Sequence, residues 1–193
     1  MYDRPMPPDA TETKRRLMAA AIEEFARYGL AGARVDRIAE TASANKRSIY
    51  MHFGAKEELF DLVVAETMSE LARAVVIDAT DLPRYAAELF DRLERRPQVR
   101  RLYLWAGLER QRPVDAEVAE YRRNVAAIAA EQEAGRVRAD IPAVELMAMV
   151  IALVMSWDTA SWSLKALGEE TGAQAADRGA AVSAAVAGLI RPA

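Results

Sequence analysis

The sequence predicts an all-α protein, with an N-terminal three-helix domain followed by a C-terminal helical bundle and about nine helices in total. Apolar residues recur at helical spacing along almost the whole chain. Prolines stand at positions where helices can begin. No segment alternates apolar and polar residues as a half-buried strand would. We place the domain boundary at residue 60, which assigns residues 1–60 to the first domain and 61–193 to the second.

The composition indicates an ordered protein whose two ends differ in charge. The 193 residues are 52% hydrophobic, which is ample for a buried core, and the net charge is −3. Residues 1–56 contain 10 Lys and Arg against 7 Asp and Glu, whereas residues 57–193 contain 16 against 22. A basic head on an acidic body favours a protein that contacts a polyanion with one end only.

Cysteine content and hydropathy predict a cytoplasmic protein without a membrane partner. The chain has no cysteine, which excludes disulfides and thiolate metal sites and fits a reducing compartment. Residues 1–10 lack the apolar core of a signal peptide. The longest apolar run, residues 146–157, is too short to span a bilayer.

The chain begins with an expected disordered arm and a first helix. Residues 1–10 are rich in proline and mixed in charge, which favours disorder. Asp9 or Thr11 can cap the helix that follows, and Gly29 is the expected stop after about Tyr28. Its apolar stripe, including Leu17, should pack on the two helices that come next.

Residues 35–53 predict a helix-turn-helix. Val35 and Ile38 begin a short apolar face, and small polar residues interrupt the pattern at 41–45. Asn45 can cap the second helix, in which Ile49 and Phe53 share the inner side at i and i+4. In such a motif the second helix enters the DNA major groove.

The outer face of this motif is rich in hydrogen-bond donors. Lys46, Arg47 and Ser48 lie on the first turn, which normally faces base edges, and Tyr50 can offer its hydroxyl to a phosphate. His52, the only histidine, is either a phosphate contact or an ordinary helix-surface residue. A solvated face on a simple helical hairpin would show a similar pattern. The predicted DNA-contacting residues are Arg34, Arg37, Asn45, Lys46, Arg47, Ser48, Tyr50, His52 and Lys56.

The order and spacing of four short segments resemble the N-terminal DNA-binding domain of the TetR/AcrR family of transcriptional regulators. The resemblance covers residues 17–60, and the rest of the chain is similar in length and helical character. The matching segments are Phe25-Ala26-Arg27-Tyr28-Gly29, Val35-x-x-Ile38-Ala39-Glu40, Lys46-x-Ser48-Ile49-Tyr50-x-His52-Phe53 and Lys56-Glu57-Glu58-Leu59.

Two positions depart from the family pattern. The turn carries Ser43 where glycine is usual, so it lacks the residue best suited to positive φ. The second helix opens at Arg34 where the family has Thr or Ser, and a guanidinium cannot accept an amide hydrogen bond. These changes bear on the operator sequence rather than on the fold.

The remaining helices are expected at 56–79, 83–95, 97–111, 113–134, 142–168 and 172–190, separated mainly by prolines. The first of them starts beside the recognition helix, so we expect it to link the two domains mechanically. Residues 135–140 resemble a connector that recurs in the family.

The last two predicted helices suggest a homodimer interface. Residues 143–167 carry large apolar side chains, whereas residues 173–190 are mostly Ala and Gly, which allow close approach of helices. Together they would form a four-helix bundle from two chains, as the resemblance also implies. A simply buried central helix is the other interpretation.

The resemblance implies a small-molecule effector, and aromatic and Met side chains suit an adaptable apolar pocket. For each of them a core position is the simpler interpretation. Asp158 is the sharpest polar candidate, since it could bind a cationic ligand or pair with an Arg across the interface. The candidates are Phe90, Tyr103, Trp105, Tyr121, Met147, Met149, Met155, Trp157 and Asp158.

The sequence therefore predicts a ligand-responsive repressor that binds a pseudo-palindromic operator on double-stranded DNA as a homodimer. No nucleophile–base pair, phosphate loop or metal set is evident, so we expect neither an enzyme nor a cofactor or metal. The alternative is a helical small-molecule-binding protein or enzyme that retains a non-functional helix-turn-helix. A regulator that has lost its sensor and responds to protein partners is a third possibility.

Overall fold

The computed structural model describes residues 10–110, 112–172 and 175–192. Every regular element in these ranges is helical, which confirms the all-α class, although there are eleven α-helices rather than about nine. None of the described helices is both long and apolar enough to cross a membrane. Except for Ala10, the predicted arm lies outside the described residues. The helices are α1 (Ala10–Gly32), α2 (Val35–Thr41), α3 (Lys46–Phe53), α4 (Lys56–Ala74), α5 (Leu82–Glu94), α6 (Pro97–Glu109), α7 (Asp115–Glu133), α8 (Ala143–Val154), α9 (Ser156–Thr159), α10 (Trp162–Glu170) and α11 (Ala175–Leu189), with a 3₁₀ turn at Ala79–Asp81.

The helices form two compact units. Unit 1 contains the described residues up to Ser69 together with Pro97–Val114, and unit 2 contains Glu70–Arg96 and the chain from Asp115 onward. The division therefore falls within α4. The boundary predicted at residue 60 divides the chain by function rather than by packing, and it stays a prediction.

The core of unit 1 is built by the apolar faces of α1 to α4 and by α6. Phe25 and Phe60 are fully buried, with ring centroids 5.1 Å apart in an edge-to-face arrangement. Leu102 brings α6 into the same cluster. Fully buried members of this core are Leu17, Ala21, Phe25, Ile38, Ile49, Leu59, Phe60, Val63, Val64 and Leu102.

Helix α1 is kinked at Gly29, where the sequence predicts a helix end. Its φ of 66° and ψ of −175° lie in a region that only glycine adopts readily. The N–H groups of Leu30 and Ala31, which follow the kink, both donate to the carboxylate of Glu109 on α6, the second at 3.1 Å. Glu109 therefore caps the short helical turn that leads toward α2.

On the other side of the kink, the backbone carbonyl of Ala26 accepts hydrogen bonds from side chains on the same face of α6. Arg101 Nε donates to the carbonyl oxygen of Ala26 at 2.7 Å, and Trp105 Nε1 donates to the same oxygen at 3.3 Å. With Glu109 these residues stand at i, i+4 and i+8, so one stripe of α6 supplies partners for both broken ends of α1. We call Arg101, Trp105 and Glu109 the α6 stripe.

Unit 2 packs around α5, α8 and α11. Helix α11 contacts both α5 and α8, and α7 contacts α8. Leu82, Leu146 and Val186 are fully buried in this unit. Gly179 allows α11 to approach Phe90 closely, because a Cβ at this position would lie only 3.3 Å from the ring.

Two predicted helices have different bounds in the structure. The helix expected at 56–79 ends at Ala74. The single helix expected at 142–168 is wrong, since α8, α9 and α10 replace it. The backbone leaves the helical region at Met155 (φ −90°, ψ 3°) and becomes extended at Ala160. Ser161 then starts α10 by accepting the N–H of Leu164 at 3.2 Å.

Candidate nucleic-acid interface

Buried apolar residues anchor helices α2 and α3 in the core of unit 1. Val35, Ile38 and Ala39 of α2 are buried, as are Ile49 and Phe53 of α3. These are the inner positions that the sequence predicts. Because the inner face of each helix is held in the core, the opposite face is presented to solvent.

The turn between α2 and α3 is held by local hydrogen bonds. The side-chain oxygen of Asn45 accepts the N–H of Arg47 at 2.9 Å, which confirms the predicted cap of α3. Ser43 has a φ of +49°, so serine itself adopts the left-handed conformation for which the family usually has glycine. The N–H groups of Ser43 and Ala44 donate to the carbonyls of Glu40 and Ala39, both at 2.9 Å.

The start of α2 is organised by Glu24, a buried carboxylate of α1. The side chain of Arg34 makes no capping bond at the helix start, as expected for a guanidinium. Glu24 Oε1 instead accepts the backbone N–H of Arg34 and Nε of Arg37, each at 2.8 Å. The sequence did not predict a role for Glu24 at this surface. Its position next to Phe25 in the apolar stripe of α1 is the available signal.

The outer face of α3 is exposed and rich in donors. Lys46, Arg47, Tyr50 and His52 are exposed, and Ser48 is half-buried. The imidazole of His52 lies edge-on to Phe53, with ring centroids 6.0 Å apart. The structure therefore brings the predicted contacts of α3 onto one helix within about two turns.

Two of the flanking cations also have structural partners. Arg37 pairs with Glu24 and lies over the ring of Tyr28, 4.3 Å from its centroid. Lys56 Nζ donates to the carbonyl of Ala33 at 3.3 Å. Each of these side chains thus joins neighbouring segments of unit 1, in addition to any contact with a ligand.

Lys46 is paired with a carboxylate on the facing helix. Its Nζ lies 2.8 Å from Oδ1 of Asp36 in the first turn of α2. The hydrogen bond from Lys46 lowers the pKa of Asp36, and the same bond raises the pKa of Lys46. Arg34 also contributes to the lowered pKa of Asp36. Both partners are therefore charged at neutral pH.

The nine residues predicted for effector binding are divided between the two units. Tyr103 and Trp105 lie on α6 in unit 1, where Trp105 packs against the core and bonds to Ala26. The other candidates lie in unit 2. Phe90, Met147 and Met155 are buried there, whereas Tyr121, Trp157 and Asp158 are half-buried and Met149 is exposed.

The Trp157 side chain has a defined place in unit 2. Its ring lies directly over Gly168, where an added Cβ would come within 2.6 Å of it. The guanidinium of Arg178 lies over the same ring, 4.5 Å from the centroid. The backbone carbonyl of Asp158 accepts Lys165 Nζ at 3.0 Å. These contacts tie α9 to α10 and α11.

A helix-turn-helix with an exposed, donor-rich second helix defines a DNA-binding transcriptional regulator as the class of protein. Residues 17–63 match bacterial regulatory proteins of the tetR family, and residues 81–187 match the tetracyclin repressor-like C-terminal domain. The chain belongs to the TetR family. It is a transcriptional regulator rather than an enzyme.

Individual relatives agree with this assignment. The chain is 42% identical to the HTH-type transcriptional repressor SCO4008 of Streptomyces coelicolor in an alignment of 149 residues that covers 75% of this chain and 78% of that protein. The solved structure of the transcriptional regulator SCO4942 from Streptomyces coelicolor aligns with a TM-score of 0.82 at 32% identity, covering 92% of this chain and 98% of that one. FadR from Bacillus subtilis in complex with stearoyl-CoA aligns with a TM-score of 0.66 over 92% of this chain and 100% of that one, and its 16% identity shows the fold alone.

Proposed function

We propose that this protein is a ligand-responsive repressor that binds a pseudo-palindromic operator as a homodimer and is released by a small, largely apolar effector. The observation that carries the proposal is the outer face of α3, where Lys46, Arg47 and Tyr50 are exposed on a helix whose inner face is buried. Such a regulator acts on the chromosome, so we place it in the cytoplasm.

The side chains of α3 have the chemistry that DNA recognition requires. Lys46 and Arg47, on the first turn, can donate to O6 and N7 of guanine in the major groove. Tyr50 can donate its hydroxyl to a phosphate, as can the imidazole of His52. Phosphate contacts fix the register of α3 on the duplex, and base contacts supply sequence specificity.

Exposed apolar side chains in unit 2 support the proposed dimer. Trp162 is 84% exposed on α10, where Leu164 and Leu167 are also exposed, and α8 exposes Val144 and Met149. Large apolar side chains that accumulate on one stretch of chain are typical of a protein–protein interface. A second copy of the chain would cover them and would present two α3 helices to two half-sites.

The effector is expected in unit 2, where the half-buried Tyr121, Trp157 and Asp158 combine apolar surface with polar groups. FadR from Bacillus subtilis, which shares the fold, was solved in complex with stearoyl-CoA. That complex is consistent with an effector that has a large apolar part. We propose that effector binding changes the spacing of the two α3 helices and so lowers the affinity for the operator.

The proposal is tested by fluorescence anisotropy with a duplex from upstream of the protein's own gene. The Lys46→Ala, Tyr50→Ala double variant should lose operator binding while its helical circular dichroism and its sedimentation as a dimer are retained. Arg84→Ala is the matched control, because it removes one exposed cation from unit 2 and should bind like the wild type.

Operator affinity should also fall steeply as salt is added, since each phosphate contact releases counterions. An unchanged affinity in the double variant would contradict the proposed role of α3. If the wild type fails to bind this duplex even at low salt, the alternative of a small-molecule-binding protein with an inactive hairpin is favoured instead.

A further inference from the structure

Asp36 places a negative charge beside the positively charged side chains of the proposed DNA-binding surface. It lies in the first turn of α2, it is 61% exposed, and it pairs with Lys46, which is itself 47% exposed in the first turn of α3. A carboxylate at this position would repel nearby phosphates. DNA binding through charge alone would therefore be stronger without it.

We propose that Asp36 and Lys46 act together as one specificity-determining unit, which reads a single G·C base pair in each half-site. This inference rests on the proposed function, in which α3 lies in the major groove. It assigns to the Asp36 carboxylate a role in sequence recognition, and it assigns to Lys46 a base contact rather than a phosphate contact.

The chemistry of the pair matches the major-groove edge of G·C. Guanine offers the acceptors O6 and N7, and the cytosine paired with it offers the N4 amino donor beside them. Lys46 supplies a donor and Asp36 supplies an acceptor, with only 2.8 Å between the two charged groups. The order of donor and acceptor is therefore complementary to one base pair, whereas A·T presents the adenine amino group and thymine O4 in a different order.

The ion pair with Asp36 also makes the ammonium group of Lys46 less available to phosphates. A lysine that contacts a phosphate releases about one counterion and adds roughly 0.9 to the slope of log K against log salt, whatever the sequence. In the paired state, a phosphate must compete with Asp36 for the ammonium group and must approach a carboxylate. Asp36 thus lowers affinity for random DNA while it keeps Lys46 directed at a base edge.

A purely structural role for Asp36 makes different predictions. An acidic residue in the first turn complements the helix dipole of α2, and the ion pair joins the two helices of the motif. In that case the loss of the charge would lower stability but would change neither the salt slope nor the base preference. The high exposure of both partners means that solvent screens this stabilising effect.

The experiment compares Asp36→Asn, Lys46→Met, the double variant and the wild type. Each full-length protein is used to select binding sites from a library of 30-base-pair duplexes with a randomised centre. Each is also titrated, by fluorescence anisotropy, with one fixed random-sequence duplex between 50 and 300 mM NaCl. Glu40→Gln is the matched control, since it removes the same charge from an exposed position on the same helix.

For Asp36→Asn we expect the salt slope on random DNA to steepen by about 0.9, which corresponds to roughly eightfold tighter binding at 0.1 M salt. Among the selected sites, one G·C position in each half-site should lose at least about fivefold of its preference. In the Lys46→Met background the change in salt slope should vanish, because it requires the ammonium group, and the loss of G·C preference should be smaller, because Lys46 no longer holds the carboxylate beside the cytosine. Glu40→Gln should retain the wild-type consensus.

Several results would overturn the inference while leaving the proposed function intact. The first is that Asp36→Asn keeps the wild-type consensus and the wild-type salt slope. The second is that Asp36→Asn has the same effect with and without Lys46. The third is that Glu40→Gln changes consensus and salt slope as much as Asp36→Asn does. A loss of helical circular dichroism in Asp36→Asn would make the residue structural and would overturn it too. A wild-type protein that binds no duplex at 50 mM NaCl would overturn both the inference and the proposed function.

Discussion

Helix α3 in unit 1 and helix α10 in unit 2 present opposite surfaces. The exposed positions of α3 are mostly polar or charged, with Met51 as the apolar exception, and Ile49 and Phe53 are buried in the core. Helix α10 exposes Trp162 and Leu167 and buries only Gly168. The first surface is already suited to water and to a polyanion. The second is costly to expose and becomes favourable only when another apolar surface covers it.

This contrast supports the proposal that unit 1 binds DNA and that unit 2 binds a second copy of the chain. A charged surface binds strongly only where salt is low and where geometry matches, so it can bind and release DNA. An apolar surface of this kind is typical of a lasting association. Three substitutions and a change of pH should separate the two units, with effects that decrease in the order given below.

Gly29→Ala should have the largest effect, a loss of stability in unit 1. The residue has a φ of +66°, and a Cβ there would lie 2.7 Å from Glu109 Oε2 and 2.8 Å from the ring of Trp105. Backbone strain and overpacking together should lower the free energy of unfolding by roughly 2–5 kcal/mol. Gly107→Ala, on α6, is the matched control, since its Cβ would meet nothing within 4 Å, and it should be neutral or stabilising by up to about 1 kcal/mol. Urea denaturation followed by circular dichroism measures both, and equal stabilities would contradict the prediction.

Leu167→Glu should break the proposed dimer. A carboxylate buried without a partner at both copies of the site should raise the dimer dissociation constant by roughly a hundredfold or more. Analytical ultracentrifugation at micromolar concentration measures this constant. Val76→Glu places the same charge at an exposed apolar position of unit 2 outside α8, α10 and α11, and it should leave the dimer intact. Dissociation by both variants, or by neither, would locate the interface elsewhere.

Alkaline pH should destabilise unit 2 through Tyr85. Burial raises the pKa of Tyr85 to about 12. Because the folded state favours the neutral phenol, its stabilising contribution is complete below pH 10 and is lost as the pH rises toward 12. The loss should approach about 3 kcal/mol. Thermal melting at pH 9 and pH 11 should show a smaller decrease in Tyr85→Phe than in the wild type, and an equal decrease in both would contradict the prediction.

Ser43→Gly should give the smallest effect and the opposite sign. Serine at a φ of +49° is strained by roughly 1 kcal/mol, and glycine relieves that strain at some cost in unfolded-state entropy. We expect a gain of about 0.5 kcal/mol in the stability of unit 1, measured by urea denaturation. Ser163→Gly, at an exposed position within α10, should instead be destabilising. A loss of stability in Ser43→Gly would mean that the serine side chain contributes more than the strain costs.

The sequence predicts unit 1 well because its determinants are local. The i and i+4 spacing of Ile49 and Phe53, the cap at Asn45 and the exposure of Lys46 and Arg47 all follow from residues within one motif. The pairing of Lys46 with Asp36 and the capping of α2 by Glu24 depend on how separate helices meet. Spacing along the chain carries little information about such contacts.

Unit 2 is less predictable for a physical reason. Residues 142–168 are apolar enough to read as one helix, and no proline or strong breaker marks the end of α8 at Val154. The break places Trp157 over Gly168, a tertiary contact that spacing along the chain does not show. Side-chain type alone likewise could not show that Trp105 bonds to Ala26 in unit 1.

The α6 stripe has a practical consequence for anyone who wishes to move the DNA-reading part of this protein into another regulator. The chain enters α6 directly from unit 2 and returns to unit 2 after it, yet Leu102 and Trp105 belong to the core of unit 1. A chimera joined near residue 69 would leave that core open and the carbonyl of Ala26 without its donors. A transplant that is meant to fold must therefore carry two separate pieces, with Pro97–Val114 as the second.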